Sequence, residues 1–285
     1  MSRMLKGYII EKYNNMGSAY TCARLAEEAR KTGVTLDIVG VHDTVVNGPF
    51  LENRGQRMER RDIVVNRYKW GHVKDGINAL ADRSYNRIEY YKPFIDKYVQ
   101  LERLDSAGFT KPRYLLGTVL SDFDRLADLL GLPFVAKGLE SSMGREIWLI
   151  RGKEDLAALS RAFPIEKEVL YEEFIATSYG RDLRLLGIRG EAVACMMRQS
   201  QSDFRANVAL GGAVSRYPVN PELERIAADI YAQSKLDVVG IDLLFGRQGL
   251  VFCEINVMPG LEGIERATGV NVAGRALQMI KEDFQ

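Results

Sequence analysis

Three side chains in the last quarter of the sequence are of the types that hold a hard cation. Asp242 stands in Gly240-Ile-Asp242, and Glu254 and Asn256 follow in Cys253-Glu-Ile-Asn256. The run 239–245 reads as a strand, Gly246-Arg-Gln-Gly249 as a turn and 250–255 as the returning strand, so Asp242 and Glu254 are expected opposite each other on one hairpin face. Asn256, two residues beyond Glu254, points the same way. Two carboxylates and an amide oxygen form an all-oxygen set suited to Mg2+ or Mn2+ shared with phosphate oxygens. The pattern serves equally a hairpin whose acids face water while Ile241 and Leu243 face the core. Leu244 and Phe252 are expected on the acids' face, and acids in such partly apolar surroundings are costly unless paired or metal-bound. Neutralising one of these acids should relieve carboxylate repulsion in the metal-free protein.

Other residues suit phosphates and a nucleotide base. Lys97 lies near the start of a helix, and Lys137 ends the apolar strand 134–137. A lysine at a strand end can meet phosphates as a point charge, although either lysine alone reads as a surface residue. The loop Glu140-Ser-Ser-Met-Gly144 offers small side chains and backbone donors for a phosphate lid but has no Walker pattern. Leu170-Tyr-Glu-Glu-Phe-Ile175 is an apolar strand ending in acids, able to offer backbone groups to an adenine edge and a carboxylate to ribose. Arg184 and Arg205 can clamp phosphate or carboxylate bidentately. Arg67, after a strand, is a candidate for gripping a carboxylate substrate, with a plain surface arginine as the bland alternative.

The elements that must position these groups fall into three blocks. Strand 6–10, a helix from Ser18 to Lys31 stopped by Gly33, and strands 35–39 and 62–66 give a βαβ rhythm and a small parallel sheet over roughly the first 85 residues. The cluster Arg54, Arg57, Arg60, Arg61 reads as a solvated face, with anion binding as the alternative. A second block, from about Tyr91, holds a helix 95–107, strand 113–116, a helix 122–130 capped by Ser121 with Asp124 at N3, strands 134–137 and 147–150, and a helix 153–161. The third is strand-rich, with strands at 169–175, 182–188, 192–198, 239–245 and 250–255, interrupted by a helix 221–235. The expectation is a mixed α/β and α+β protein without a long linker.

Composition narrows the classes. With 285 residues, 39 Lys+Arg and 38 Asp+Glu, the chain has no global basic footprint, which argues against generic binding to nucleic acid or anionic membrane. No apolar run approaches the length of a spanning helix, and the opening residues do not read as a signal peptide. Cys22, Cys195 and Cys253 lack any paired spacing and read as buried thiols of a reducing, cytoplasmic compartment. His42 and His72 are the only histidines, and no Ser/His or Cys/His arrangement suggests a covalent nucleophile.

The order of these residues along the chain carries a resemblance. It runs Lys97, Lys137 and its loop, Glu172-Glu173-Phe174, Asp182-Leu-Arg184, Phe204-Arg205-Ala-Asn207, Gly211-Gly212, Asp242, Glu254-Ile-Asn256 and Pro259-Gly260. This resembles the ATP-grasp superfamily, most closely the RimK-like ligases that add glutamate or related amino acids to a carboxylate, over the two-thirds of the chain after about Lys97. The stretch from Glu254 to Glu265 is its most specific part. The resemblance implies an ATP-grasp fold with a pre-ATP-grasp α/β domain over 1–90 and an ATP-grasp domain over 91–285, divided into a lid part (about 91–170) and a nucleotide and metal part (171–285). It further implies that Lys97 and Lys137 contact ATP phosphates, with Ser142 and Gly144 in the lid, where only Gly144 remains of the family's three glycines. Glu172, Glu173 and Phe174 would line adenine and ribose, Asp182 would belong to the nucleotide pocket, and Arg205 and Asn207 would bind the phosphate end, Arg184 and Arg205 acting in catalysis. Asp242, Glu254 and Asn256 would hold two Mg2+ ions, with Mn2+ as a substitute and Glu254 bridging. The implied reaction is ADP-forming amide synthesis through an acyl phosphate, joining an amino acid to a small-molecule, peptide or protein carboxylate, in a homo-oligomer by family expectation. An ATP-grasp kinase phosphorylating a hydroxyl and a non-catalytic nucleotide-binding module are the competing classes.

Overall fold

A computed structural model describes residues 4–104, 108–141, 146–206 and 212–285. The chain opens with β1 (Leu5–Glu11), α1 (Tyr20–Thr32) and β2 (Val34–Gly40). Gly33 ends α1 at φ 76°, the left-handed geometry that a helix stop requires and that glycine adopts without penalty. Next come β3 (Thr44–Asn47), β4 (Phe50–Asn53) and β5 (Gln56–Arg57), a small antiparallel sheet that the sequence pattern does not announce. They are followed by β6 (Arg61–Asn66), α2 (His72–Ala79) and β7 (Ala81–Tyr85). The order β2-β1-β6-β7, with β1 parallel to both neighbours, is the expected parallel sheet. Ile9, Ile10, Ile63 and Val64 are fully buried, so adjacent residues on both faces of its central strands are covered.

The arginine cluster is a paired surface. Arg54 faces Asp43, Arg60 pairs with Asp82 and Arg61 with Glu59, while Arg57 lies over the Phe50 ring.

The middle of the chain holds α3 (Ile88–Tyr91), α4 (Lys97–Arg103), β8 (Tyr114–Thr118), α5 (Phe123–Leu130), β9 (Phe134–Gly138), β10 (Ile147–Ile150), α6 (Lys153–Ala162) and β11 (Glu168–Glu173). The helix expected over 95–107 begins later, because residues 92–95 form a 3-10 turn and Asp96 caps α4 by accepting from the Tyr98 and Val99 amides. The cap of α5 is likewise Asp122, which accepts from the Arg125 amide at 2.7 Å, whereas Ser121 spends its hydroxyl on the Thr118 amide. The antiparallel sheet β10-β9-β11-β8 packs against α5 and α6 through Leu126, Leu130, Leu156 and Leu159.

The last part comprises β12 (Arg181–Ile188), β13 (Glu191–Gln199), β14 (Ala213–Tyr217), α7 (Pro221–Ser234), β15 (Val238–Gly246), β16 (Gly249–Asn256), α8 (Glu262–Thr268) and α9 (Val272–Glu282). Its antiparallel sheet runs β14-β13-β12-β15-β16. One face shares a core with α4 and α7, through Leu101, Leu223, Ile226, Ile241 and Leu243. The other side of the molecule joins α8 and α9 to α1 and β1 in a second core that includes Ile9, Leu25, Ala29, Ala273 and Leu277. Among the described residues no helix is long and apolar enough to cross a membrane.

Candidate active site

A cleft of about 450 Å3 opens where β9 and β11 of the four-stranded antiparallel sheet face β12, β15 and β16 of the five-stranded one. The segment after β6 closes one side of it with Arg67 and Lys69.

The floor is the β15–β16 hairpin. Asp242 pairs in register with Glu254, and Gly240 with Asn256, as the alternation requires. The register then shifts, and Leu243 stands opposite Phe252, which leaves Cys253 as the extra residue of a bulge. This corrects the expectation for Phe252. The shift turns its ring into the core at 1% exposure, while Leu244 stays on the cleft side. Cys253 takes a place in the cleft wall instead, so only Cys22 and Cys195 are the buried thiols expected of all three. Burial pushes the Cys253 thiol up to about 12, so it is a neutral group and no nucleophile at neutral pH.

Asp242 is 3% exposed and held by two arginines. Arg184, its cross-strand neighbour on β12, donates from Nε to Oδ1 and from Nη2 to Oδ2, both at 2.6 Å. Arg198 on β13 reaches Oδ2 at 2.9 Å and also grips Asp182 at 2.6 and 2.7 Å. The result is an alternating chain, Asp182–Arg198–Asp242–Arg184. Burial alone would raise the Asp242 carboxyl, but the Arg184 and Arg198 guanidiniums outweigh it and hold it at about 2. At Asp182 burial outweighs the Arg198 guanidinium, and its carboxyl is raised. The expected relief of carboxylate repulsion on neutralising Asp242 is therefore reversed, because its immediate neighbours are cations.

Glu254 is partly exposed, with Lys97 Nζ 3.6 Å from Oε2. Asn256 keeps its buried amide nitrogen without a partner, an open position for a polar ligand. Among the described residues no three His, Cys, Asp or Glu side chains cluster to hold a metal, and Asn256 is the oxygen-bearing side chain that joins Asp242 and Glu254 in lining the cleft. Asp242, Glu254 and Asn256 all line the cleft and offer only hard oxygen donors, which fits Mg2+ in kind.

The basic side is buried, contrary to the surface alternative for its lysines. Lys97, at the first position of α4, is 5% exposed, and its ammonium donates to the Ser141 carbonyl. Lys137, also 5% exposed, meets the Glu172 carboxylate at 2.6 Å. Burial pulls the Lys137 ammonium down, but the facing Glu172 carboxylate, with Glu254 beyond it, outweighs burial and keeps it charged. Glu172 is thus committed to Lys137, and Glu173 to Arg113. Phe174 lies edge-on to both Phe204 and Tyr179, at 6.2 Å each, and forms an aromatic wall. Arg205 lines the same cleft and pairs with Asp203 at 2.6 Å. Ser142, Gly144 and Asn207 lie outside the described residues. Arg67 reaches the Pro259 carbonyl at 2.6 Å and faces Glu11 at 3.4 Å.

Several cleft residues escaped the sequence reading, the basic Arg198 and Lys69 among them. Arg198 sat inside an apolar strand, where its only signal was a charge after Met196-Met197. Lys69 follows Arg67 by two residues, and that spacing alone could have placed it on the same side.

The family model of the RimK-like ATP-grasp domain matches residues 95–280. A probable alpha-L-glutamate ligase of Citrobacter koseri is 30% identical over 280 residues, 93% of each chain. The ribosomal protein bS6–L-glutamate ligase of Escherichia coli K12 is 28% identical, again over 93% of each chain. Among solved structures, a RimK-domain ATP-grasp protein of Sphaerobacter thermophilus superposes with a TM-score of 0.74 at 16% identity, covering 97% of this chain and 99% of its own.

Proposed function

Because this chain belongs to the RimK-like ATP-grasp family, an ADP-forming class of C–N ligases, we propose that its cleft adds glutamate to the carboxylate of a peptide or protein acceptor. It is an ATP-dependent carboxylate–amine ligase, with ATP and Mg2+ as the family's cofactors. One observation carries the assignment of residues. The Asp242–Glu254 pair lies in register, with the Lys97 ammonium 3.6 Å from Glu254, so acids of the metal-binding type and a cation of the phosphate-binding type meet at one spot.

In this reading Lys97, Lys137 and Arg205 bind the ATP phosphates, together with Ser142, Gly144 and Asn207. Glu172, Glu173 and Phe174 line adenine and ribose, and Asp182 completes the pocket through Arg198. Asp242, Glu254 and Asn256 would hold two Mg2+ ions, or Mn2+ in their place, which neutralise charge on the transferring phosphoryl group. Arg184, adjacent to the phosphate end, supplies further positive charge there. Residues 1–90 serve as the pre-ATP-grasp domain and 91–285 as the ATP-grasp domain. Arg67, whose main chain follows β6, grips the acceptor carboxylate.

The chemistry balances without an enzyme nucleophile. A carboxylate oxygen of the acceptor attacks the γ-phosphorus of ATP, ADP leaves, and an acyl phosphate forms. The glutamate amine then attacks the acyl carbon and loses a proton, and inorganic phosphate departs with the original carboxylate oxygen. The cleft walls keep water from the acyl phosphate during its lifetime.

The test follows that oxygen. An acceptor labelled with heavy oxygen in its carboxylate should transfer label to inorganic phosphate as glutamate is joined, and hydroxylamine should trap a hydroxamate when the amine is withheld. A stable phosphate ester, with no label in free phosphate, would assign the cleft to a kinase reaction instead.

A further inference from the structure

β1 ends on a carboxylate that is nearly shut off from water. Glu11 is 8% exposed and closes a strand whose Ile9 and Ile10 are fully buried. A buried acid is costly unless it is hydrogen-bonded or paired with a cation. Its Oε1 accepts from the Cys22 thiol on α1 at 3.2 Å and lies 3.4 Å from Arg67 Nε, while the Lys12 amide reaches Oε2 at 3.3 Å. Burial, and then the Glu11 charge, push the Cys22 thiol up to about 12, so it stays a neutral donor. Arg67 is thus the cation that faces Glu11.

The strand ladder puts the two side by side. Asn66 pairs with Ile10, and the Arg67 amide donates to the Ile10 carbonyl at 2.9 Å, which brings residue 67 next to residue 11. From there the Arg67 side chain crosses to the loop after β16, where Nη1 donates to the Pro259 carbonyl at 2.6 Å. The start of α1 braces the same loop, since the Leu261 amide donates to the Thr21 hydroxyl at 3.0 Å. One hydrogen bond leaves a planar guanidinium free to turn about it, whereas a second contact on another edge sets its plane. Glu11 supplies that second contact without occupying the whole fork. Nε is buried but forms no hydrogen bond, so Glu11 makes a single ion pair and not the two-bonded clasp that joins Arg184 to Asp242. Among the described residues no other acid pairs with Arg67, and its side chain lines the cleft.

We propose that Glu11 is a positioning residue, holding the Arg67 guanidinium from behind so that its remaining edge meets the acceptor carboxylate in the cleft. Glu11 itself does not line the cleft and acts through Arg67. The proposal rests on the reading of Arg67 as the acceptor's grip and deepens it. A plain counter-charge would have the opposite effect. A negative charge 3.4 Å from Arg67 weakens its attraction for an anion, so its removal would tighten acceptor binding. Positioning requires that its removal loosen binding, and the sign of the change separates the two.

The first measurement needs no substrate. In enzyme labelled with 15N-arginine, the Nε signal of Arg67 is identified by its loss in Arg67→Lys. Its order parameter should be about 0.8 in the native enzyme and below about 0.6 in Glu11→Gln. Equal order in both overturns the proposal, because Pro259 alone would then hold the side chain. The second measurement supplies ATP, Mg2+, glutamate and a synthetic peptide ending in glutamate. Glu11→Gln should raise the KM for the peptide about tenfold, leave the KM for ATP unchanged, and add nothing in an Arg67→Met background. Glu11→Asp, which draws the charge back by one methylene, should also raise the peptide KM alone, and it carries the test if Glu11→Gln does not fold. An unchanged or lower peptide KM in Glu11→Gln, with a raised one in Arg67→Met, overturns the positioning role and leaves Arg67 as the grip. An unchanged peptide KM in Arg67→Met overturns both. A peptide that the native enzyme leaves unextended overturns the peptide-acceptor reading, and the order of Arg67 then decides on Glu11 by itself.

Discussion

Arg184 holds Asp242 by two parallel hydrogen bonds of 2.6 Å across the β12–β15 ladder. Such a fork-to-carboxylate pair fixes the acid's orientation as well as its charge. Asp242 therefore rests in an ion pair, and any cation arriving at its oxygens must share them with Arg184 and Arg198.

The Asp182–Arg198–Asp242 chain should be fragile to single substitutions. Arg198→Met leaves two buried carboxylates facing each other without their shared partner, and about 3 kcal/mol of stability should be lost. Urea unfolding gives the figure. A variant as stable as the native protein would mean that Arg198 contributes no net pairing.

Glu254 differs because it is partly exposed and its nearest cation, Lys97, is 3.6 Å away. Glu254→Gln should therefore change stability by less than about 0.5 kcal/mol. Turnover, read as ADP release, should fall at least about 100-fold if, as proposed, Glu254 stands where the phosphoryl group transfers. Retained activity would remove Glu254 from the metal-binding set.

Lys137 and Glu172 are both nearly buried and 2.6 Å apart, so they should behave as a unit. Lys137→Ala and Glu172→Gln should each destabilise, and the double variant should recover about 1–3 kcal/mol relative to the sum. Calorimetric titration of ATP should show weaker binding in Lys137→Ala, with incomplete rescue by Lys137→Arg, since a planar fork cannot replace a compact ammonium.

The depressed Asp242 carboxyl gives a pH signature. Its folded value of about 2 lies below the unfolded aspartate value of about 3.9, so its stabilising contribution is complete above pH ~4 and is lost as pH falls through ~2. The full contribution is about 2–3 kcal/mol, of which roughly 1 should be gone by pH 3. Asp182, raised by burial, works in the opposite direction. Comparing native and Asp242→Asn proteins by urea unfolding at pH 7 and pH 3 should show the smaller acid loss in the variant. An equal loss would place the acid sensitivity elsewhere.

Much of the frame was legible because it is local and periodic. Alternation along 239–245 and 250–255 put Asp242 opposite Glu254 and turned Ile241 and Leu243 inward, and both hold in the structure. The parallel sheet followed from the βαβ rhythm, and the end of α1 from Gly33. The small sheet β3–β5 was missed because its strands have two to four residues, too short for a period to register.

The order of motifs along the chain was enough to indicate the family, since that order is carried by residue identity alone. Tertiary structure decided what each charge meets. Arg198 reaches Asp182 and Asp242 because β12 lies between β13 and β15, a sheet order that no local pattern specifies. The bulge that sends Phe252 inward and Cys253 to the cleft depends on how two strands fit against the core, and a one-residue slip reverses every side chain beyond it. The charge of Lys97, at the start of α4, acts on Lys69 although 28 positions separate them in the chain, and only the fold brings them near each other. Strand period is set by the backbone and is written in the sequence, whereas charge pairing is set by the fold, because it depends on distances between segments that the sequence keeps apart.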